Sequence, residues 1–166
     1  MSVELFDLVD RNDTVIGTTD KQTAHANGDL HRVSAVFVFD QNGDLIVQRH
    51  NRDGKWDHSV GGHVRKGETY AEAAVREAAE ELGITQPLEE LAVSLSGDEP
   101  ATQQHLFGLY VCTVDPSWVF VPNEEVSHVF PMSIAAIRQA MIDEPEDRFT
   151  HGFRITMAEY VRQKLY

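Results

Sequence analysis

The chain has 166 residues, with 14 lysines and arginines against 27 aspartates and glutamates, so its formal net charge at pH 7 is −13. Protonation of all eight histidines would bring this charge only to −5. Sequence-independent binding to nucleic acids and binding to anionic membrane surfaces both need clustered cations, so the composition argues against both partner classes. A phosphate-bearing small molecule would need a local group of cations.

The length suits one domain over residues 1–166, since a chain of this size buries roughly 70% of the surface that it exposes when unfolded. Cys112 is the single cysteine and lies in an apolar run, where we expect a buried thiol. No apolar stretch approaches the ~20 residues of a membrane-spanning helix. Met1 is followed by Ser-Val-Glu-Leu-Phe-Asp rather than by a basic and then an apolar segment, so we expect a cytoplasmic protein.

The first half of the chain predicts two hairpins. Residues Glu4 to Asp20 alternate apolar and polar around a turn-like Arg11-Asn12-Asp13. The side chains expected to pack there are Phe6, Leu8, Val15 and Ile16. A second hairpin is predicted from the apolar runs 33–39 and 45–47, joined at Asn42-Gly43, a pair that accepts positive φ angles in a tight turn.

The sequence then changes to a helical period from Thr69 to Leu82. Thr69 and Glu72 have the spacing of a capping box, and Gly83 stands where a left-handed residue ends a helix. The apolar positions of this predicted helix are Ala71, Ala74, Val75, Ala78 and Leu82. Further strands are predicted at 91–95 and 104–114 and further helices at 134–142 and 153–165, which together indicate a mixed α/β domain.

Three carboxylates share one side of the predicted helix. At ~100° per residue, Glu77, Glu80 and Glu81 fall within one arc of about 100°. Close carboxylates repel one another unless a cation lies among them, and hard oxygen ligands suit Mg²⁺ or Mn²⁺. The alternative is a solvated acidic face. A glycine-rich segment from Gly61 to Glu68 comes directly before the helix, and we expect it to form a loop whose backbone can approach a metal or a phosphate.

Read as a whole, Gly62 to Ile84 has the pattern G-x5-E-x7-R-E-A-x-E-E-x-G-I and resembles the Nudix box of the Nudix hydrolase superfamily. The resemblance implies an α/β/α sandwich with a mixed sheet, here with an N-terminal hairpin. It also implies a Mg²⁺- or Mn²⁺-dependent pyrophosphohydrolase that acts on a nucleoside diphosphate linked to another group. A homodimer would be unsurprising in this superfamily.

The same resemblance implies roles for individual residues. Glu77, Glu80 and Glu81 would be metal ligands, together with the carbonyl of Gly61. Arg76 and Glu68 would form an ion pair that orients the carboxylates. Glu77 is the first candidate for the general base, and the alternatives outside the box are Glu99, Glu124 and Glu125.

Stretches before the box are similar to type I isopentenyl-diphosphate isomerases, namely His25, Leu30-His31-Arg32, Gln48-Arg49 and Ser59 to His63. Those isomerases bind a metal through three histidines and two glutamates and use a cysteine at the position of Gly61. In this chain Gln103-Gln104-His105 stands in place of their Glu-x-Glu. We therefore rank hydrolase above isomerase. His25, His31 and His63 remain candidates for a second metal, for which imidazole favours Mn²⁺ or Zn²⁺ over Mg²⁺, or they only pack and form hydrogen bonds.

Several cations lie between the second hairpin and the helix: Arg49, Arg52, Lys55, Arg65 and Lys66. On so acidic a chain they are candidate contacts for a diphosphate, with Arg49 and Lys55 as our predicted substrate-binding residues. The sequence as a whole predicts a metal-dependent hydrolase of a small diphosphate compound. An isomerase and a nucleotide sensor without turnover are the alternatives.

Overall fold

The computed structural model describes residues 3–50, 53–101, 103–144 and 148–166. Within these residues the chain forms nine strands and four helices. In chain order they are β1 (Leu5–Val9), β2 (Val15–Asp20), α1 (Lys21–Asn27), β3 (His31–Phe39), β4 (Leu45–Arg49), β5 (Trp56–Asp57), β6 (Val60–His63), α2 (Tyr70–Leu82), β7 (Glu89–Leu95), β8 (His105–Thr113), β9 (Val129–Met132), α3 (Ile134–Asp143) and α4 (His151–Lys164).

Strand β3 is the centre of one mixed sheet. It pairs in parallel with β8 along its whole length, from His31 opposite His105 to Phe39 opposite Thr113. Its other edge is shared by three antiparallel partners, β1, then β6, then β4. The sheet is extended by β7 on β8, by β2 on β1, and by β5 and β9 on β4.

The two faces of the sheet are covered by different helices. Alternate residues of a strand point to opposite faces, so β3 contributes Val36 and Val38 to one core and Phe37 and Phe39 to the other. The first core contains the apolar residues of α2, including Ala74 and Ala78, and the second contains residues of α3 and α4. The predicted α/β/α sandwich with a mixed sheet is confirmed.

The local signals read from the sequence are also confirmed. Strands β1 and β2 form the N-terminal hairpin. Helix α2 begins with a capping box in which Thr69 and Glu72 satisfy each other's backbone, and it ends at Gly83, whose φ is 65°. The sequence patterns do not predict the short elements α1, β5, β6 and β9. None of the helices in the described parts of the chain has both the length and the apolarity needed to cross a bilayer.

Three details of the prediction are wrong. Val15 and Ile16 are 50% and 66% exposed, because β2 is the outer strand in the sheet order and they lie at its beginning. Ala71 and Val75 are also exposed, because the face of α2 that meets the sheet carries Glu77 and Glu81 as well as other alanines. In the second hairpin only Gly43 has a positive φ, of 81°.

A fourth correction concerns the glycine-rich segment before α2. Its first residues, Gly61, Gly62 and His63, do not form a loop but belong to β6, in register with residues 33–35 of β3. This pairing fixes which way each side chain of the segment points, and it therefore decides which chemistry lies on each face of the sheet.

Candidate active site and second cluster

Two glutamates of α2 lie one turn apart on the face that meets the sheet. Glu77 and Glu81 are only 9% and 8% exposed. Glu125, from the segment before β9, joins them, and one carboxylate oxygen from each of the three residues lies within 4.8 Å of the others. The amide of Asn123 donates to the Glu81 carbonyl at 2.8 Å, which ties the segment carrying Glu125 to the end of α2.

Gly62 leaves the space that Glu77 occupies. Because Gly62 pairs with Ser34, whose hydroxyl bonds to the Tyr70 carbonyl, both residues lie on the α2 side of the sheet. A Cβ atom at Gly62 would lie 2.1 Å from the Glu77 carboxyl carbon. The absence of a side chain at Gly62 therefore lets Glu77 lie against β6 in its present position.

The predicted ion pair between Arg76 and Glu68 is present. Arg76 Nε and Nη2 donate to the two Glu68 oxygens at 2.8 and 2.9 Å, in a bidentate arrangement. The same guanidinium donates to Glu77 and, at 3.0 Å, to the backbone carbonyl of His63. Burial opposes ionisation of Glu68, but the hydrogen bonds from Arg76 and from the Arg65 backbone, together with the charges of both arginines, lower the pKa of Glu68. Arg76 thus fixes Glu77 relative to β6.

The two buried glutamates have raised pKa values. Burial raises the pKa of Glu81 to about 8, and the charges of Glu77 and Glu125 add to the shift, although Gln48 donates to Glu81 at 2.5 Å and opposes it. Burial also raises the pKa of Glu77. A cation among the three carboxylates would favour their charged forms, and carboxylate oxygens are the ligands that Mg²⁺ and Mn²⁺ prefer.

The remaining predicted residues of the box lie at the margin of this carboxylate cluster. The Glu80 side chain is 43% exposed, and its contact with Arg76 Nη1 is 3.4 Å long. Gly61 is the neighbouring residue of β6, and a Cβ there would lie 3.6 Å from His58 Nδ1, away from Glu77. The predicted arc of three glutamates is therefore divided in the structure, with Glu125 beside Glu77 and Glu81.

A second cluster, of four imidazoles, lies on the opposite face of the sheet. The three predicted histidines, His25, His31 and His63, are joined by His105, and one ring nitrogen from each lies within 4.8 Å of the others. His31 and His105 are paired residues of β3 and β8, and His63 is paired with Val33, two residues after His31. Cross-strand partners share a face, so strand register assembles this imidazole cluster.

The donor atoms of the imidazole cluster include buried lone pairs. His31 is 1% exposed, and its Nδ1 is 2.7 Å from the Asp29 carbonyl, which can only accept, so the ring proton lies on Nδ1. The Nε2 atoms of His31 and His63 are buried and, among the described residues, have no hydrogen-bond partner. Burial lowers the pKa of His31 to about 4 and that of His63 to about 2, so both rings are neutral near pH 7.

A family model described as the NUDIX domain matches residues 29–153. The chain belongs to the Nudix family. Among relatives, the isopentenyl-diphosphate Delta-isomerase of Pectobacterium atrosepticum is 32% identical over 159 residues, which are 91% of this chain and 88% of that protein. A Nudix hydrolase of Yersinia pestis is 40% identical over 87 residues, 49% of this chain and 48% of that protein.

The fold is shared with a solved structure. Protein DR0079 of Deinococcus radiodurans superimposes with a TM-score of 0.71 at 28% identity, covering 96% of this chain and 98% of that chain. The chain spans about half the length of most curated relatives that it matches, such as the isomerase of Streptomyces griseus at 46%, whereas its match to the Pectobacterium isomerase is nearly complete. The resemblance to both the Nudix hydrolases and the isomerases is therefore confirmed.

Two of the predicted cations, Arg49 and Lys55, line two separate cavities, and His50 lines both. A cavity of about 1120 Å³ is lined by Lys55, His63 and His105, and one of about 370 Å³ by Gln48, Arg49 and Glu125. Arg49 donates to the Gly54 carbonyl at 3.0 Å and lies over the Trp56 ring. Of the other predicted cations, Arg65 pairs with Glu4 at the surface, and Arg52 lies outside the described residues.

Sequence reasoning did not assign His105 to a site, and it considered Glu99 only as a base. Glu99 instead contacts His105, at 2.8 Å from Nδ1. The signal for His105 lies in the segment Gln103-Gln104-His105, which stands where the isomerases have two glutamates. Its histidine offers a nitrogen ligand at one of those positions. Cys112, the chain's one cysteine, is buried in the core between the sheet and α2.

Proposed function

We propose that this Nudix protein is a Mg²⁺- or Mn²⁺-dependent pyrophosphohydrolase, in which water attacks phosphorus in the diphosphate linkage of a nucleoside diphosphate derivative or a related compound. The observation that supports this proposal is the convergence of Glu125 on Glu77 and Glu81 beside Gly62. Glu77 and Glu81 are buried, and burial raises the pKa of both carboxyl groups. Carboxylates held this close together repel one another without a cation, and their oxygens suit a hard divalent ion.

In this proposal Glu77, Glu80 and Glu81, with the Gly61 carbonyl, hold the metal. The ion, when bound, neutralises charge on the diphosphate and polarises its phosphoryl oxygens. Glu125 lies close enough to add a further carboxylate to this set. Arg76 acts through its neighbours, because its bidentate pair with Glu68 aligns it to hold Glu77 and the His63 carbonyl together.

Proton removal from the attacking water is assigned first to Glu77. Glu77 lies among the carboxylates proposed to hold the metal, and the ion would keep it in the charged form that can accept a proton. Glu125 is the alternative within the cluster. Glu99 is a weaker candidate, because its carboxylate is engaged with the His105 ring and backbone on the other face of the sheet.

Arg49 and Lys55 would contact the diphosphate. Arg49 lines the smaller cavity together with Glu125, and Lys55 lines the larger one, so a substrate that reaches from one cavity to the other would meet both cations. The larger cavity has the volume that a nucleoside or a similar group needs.

The proposal is tested by product release from nucleoside di- and triphosphates, nucleotide sugars, ADP-ribose and isoprenoid diphosphates, each with Mg²⁺ and with Mn²⁺. We expect turnover of at least one diphosphate compound. Glu81→Gln should reduce that rate by several orders of magnitude while the protein stays folded, because it removes charge from the cluster and little volume. Glu89→Gln, at an exposed glutamate paired with Lys164, is the matched control and should retain the rate. An unchanged rate in Glu81→Gln would overturn the assignment.

A second candidate, an isopentenyl-diphosphate isomerase, is favoured by the 32% identity with such an enzyme across 88% of its length. Against it, the resemblance places Gly61 at the position of the isomerase cysteine, where no thiol could protonate or deprotonate carbon, and the chain's one cysteine, Cys112, is buried. Deuterium uptake from D₂O into isopentenyl diphosphate distinguishes the two reactions. Binding of nucleotide diphosphates without turnover of any compound would instead indicate a sensor.

A further inference from the structure

We propose that the imidazole cluster is an all-nitrogen site for one late first-row divalent ion, such as Zn²⁺, in which His105 is a fourth ligand and Glu99 positions it. This set of four nitrogen donors differs from the set that the isomerase resemblance implies, which has only three histidines. In the isomerase pattern carboxylates complete the site, whereas this chain has Gln103 and His105 at those positions. The site is separate from the Nudix carboxylates.

The four rings come from four different elements and meet at one end of the sheet. His25 lies in α1, His31 begins β3, His63 ends β6 and His105 begins β8. Four nitrogens at ~2.1 Å from a zinc ion lie ~3.4 Å apart in a tetrahedron, so donor atoms within 4.8 Å of one another need only small ring rotations. One ion would therefore cross-link segments as distant in sequence as α1 and β8.

Glu99 holds His105 in a ligand orientation. The Glu99 side chain is 5% exposed, and its Oε1 lies 2.8 Å from His105 Nδ1 while its Oε2 accepts the His105 backbone N–H at 2.8 Å. An ionised carboxylate only accepts, so the ring proton lies on Nδ1 and the Nε2 lone pair is left for an ion. A carboxylate behind a ligating histidine is the usual second partner in zinc sites. The Asp29 carbonyl does the same for His31.

The surroundings also favour an ion rather than internal hydrogen bonds. The Nε2 atoms of His31 and His63 are buried without a partner among the described residues, which is costly unless something occupies the space between the rings. The buried Phe6 ring stacks on His63 at 4.7 Å and on His31 at 5.8 Å between centroids and shields one side. The large cavity is lined by His25, His63 and His105, so an ion could reach the cluster through it.

The chemistry of the donors selects the class of ion. Imidazole nitrogen binds Zn²⁺, Ni²⁺ and Cu²⁺ well, whereas Mg²⁺ prefers oxygen and keeps much of its water. The two sites of this protein should therefore take different ions. They are linked through β6, since Arg76 donates to the His63 carbonyl from the carboxylate side.

The test measures metal content and affinity in full-length protein produced without a histidine tag. After chelation and dialysis, Zn²⁺ is titrated in competition with a chromophoric chelator, and Co²⁺ absorption reports nitrogen coordination. We expect one Zn²⁺ per chain, a Zn²⁺-dependent rise in Tm, and no displacement by millimolar Mg²⁺. His105→Ala should weaken Zn²⁺ binding at least 100-fold, and Glu99→Gln by about 10- to 100-fold.

Controls separate this site from the proposed hydrolase. Glu81→Gln should keep the Zn²⁺ affinity, and His128→Ala, at an exposed histidine outside the cluster, should do the same. Glu99→Gln conserves shape, so it keeps the test decisive if His105→Ala fails to fold. Stoichiometric Zn²⁺ that is lost in Glu81→Gln, equal affinity in Glu99→Gln and the wild type, or no bound Zn²⁺ at all would each overturn the proposal, whatever the hydrolysis assays show.

Discussion

The carboxylate cluster and the imidazole cluster lie on opposite faces of the same short strand, β6, and they are encoded in very different ways. Glu77 and Glu81 belong to one helix that directly follows the strand, so their proximity follows from helical spacing. The imidazoles come from α1, β3, β6 and β8, and only the sheet brings them together. Spacing along the chain is therefore visible to sequence reasoning, whereas register between strands is not.

The two clusters also differ in the charge state that burial favours. On the α2 face burial raises the pKa of carboxyl groups, and on the other face it lowers the pKa of imidazoles. Both shifts favour the neutral form in the absence of an ion. A hard cation would restore charge to the first cluster, while the second already offers neutral nitrogen ligands.

Among changes that should affect one cluster and not the other, we expect the largest loss of activity from Gly62→Ala, which should act on the carboxylate face alone. The three atoms nearest to the new Cβ all belong to the Glu77 side chain, with the carboxyl carbon at 2.1 Å, so this side chain would have to move away while the fold should remain. Moving Glu77 by an ångström or more should reduce kcat by about 100-fold or more. The measurement is kcat on the best substrate, with circular dichroism to verify the fold.

Gly17→Ala is the matched control, because a Cβ there lies 3.5 Å from Leu8, an ordinary van der Waals contact. It should change kcat little. Zn²⁺ affinity should be retained in both variants, since His63 faces the other side of β6. A normal kcat in a folded Gly62→Ala protein would show that the position of Glu77 does not matter for turnover.

The sequence predicts most of the secondary structure that holds the carboxylate cluster but only some of the residues in it. The capping box, Gly83 and the Arg76–Glu68 pair were predictable because they depend on residues close in sequence. The position of Glu125 was not, since it depends on how the segment before β9 is tied to α2 through Asn123.

His105 was missed for a related reason. Its place depends on the parallel register between β3 and β8, two strands separated by more than sixty residues of chain. Val75 was misjudged because amphipathic spacing treats every apolar residue as inward-facing, while in α2 part of the inward face belongs to two glutamates.

An intermediate effect is expected in the pH dependence of stability of the metal-stripped protein. The folded pKa of Glu81, about 8, lies above its ordinary 4.5, so its contribution is fully present below pH 4.5 and is lost as the pH rises to about 8. The folded pKa values of His31 and His63, about 4 and about 2, lie below 6.5, so their contribution is present above pH 6.5 and is lost as the pH falls. The carboxylate cluster thus lowers stability as the pH rises, and the imidazole cluster lowers it as the pH falls.

Thermal unfolding from pH 5 to 8.5 measures this balance. Above pH 6.5 only the carboxylate side changes, and we expect the wild-type Tm to fall by about 5 °C relative to Glu81→Gln between pH 6.5 and 8.5. Glu77, Glu125 and Asp57 supply the charges that face Glu81, and they stay in place in the variant. Parallel Tm curves for the two proteins would contradict a raised pKa at Glu81.

The smallest effect is expected at the residue where the family resemblance and the geometry differ most. The resemblance makes Glu80 a ligand equal to Glu81, but the Glu80 side chain is 43% exposed and lies 3.4 Å from Arg76 Nη1. Glu125, which the box does not include, lies beside both buried glutamates. We therefore expect Glu80→Gln to reduce kcat by about tenfold and Glu125→Gln by about 100-fold, with the KM for Mg²⁺ raised in the second variant. A larger loss in Glu80→Gln than in Glu125→Gln would mean that binding of the ion draws Glu80 inward and that the carboxylate ligands all come from α2.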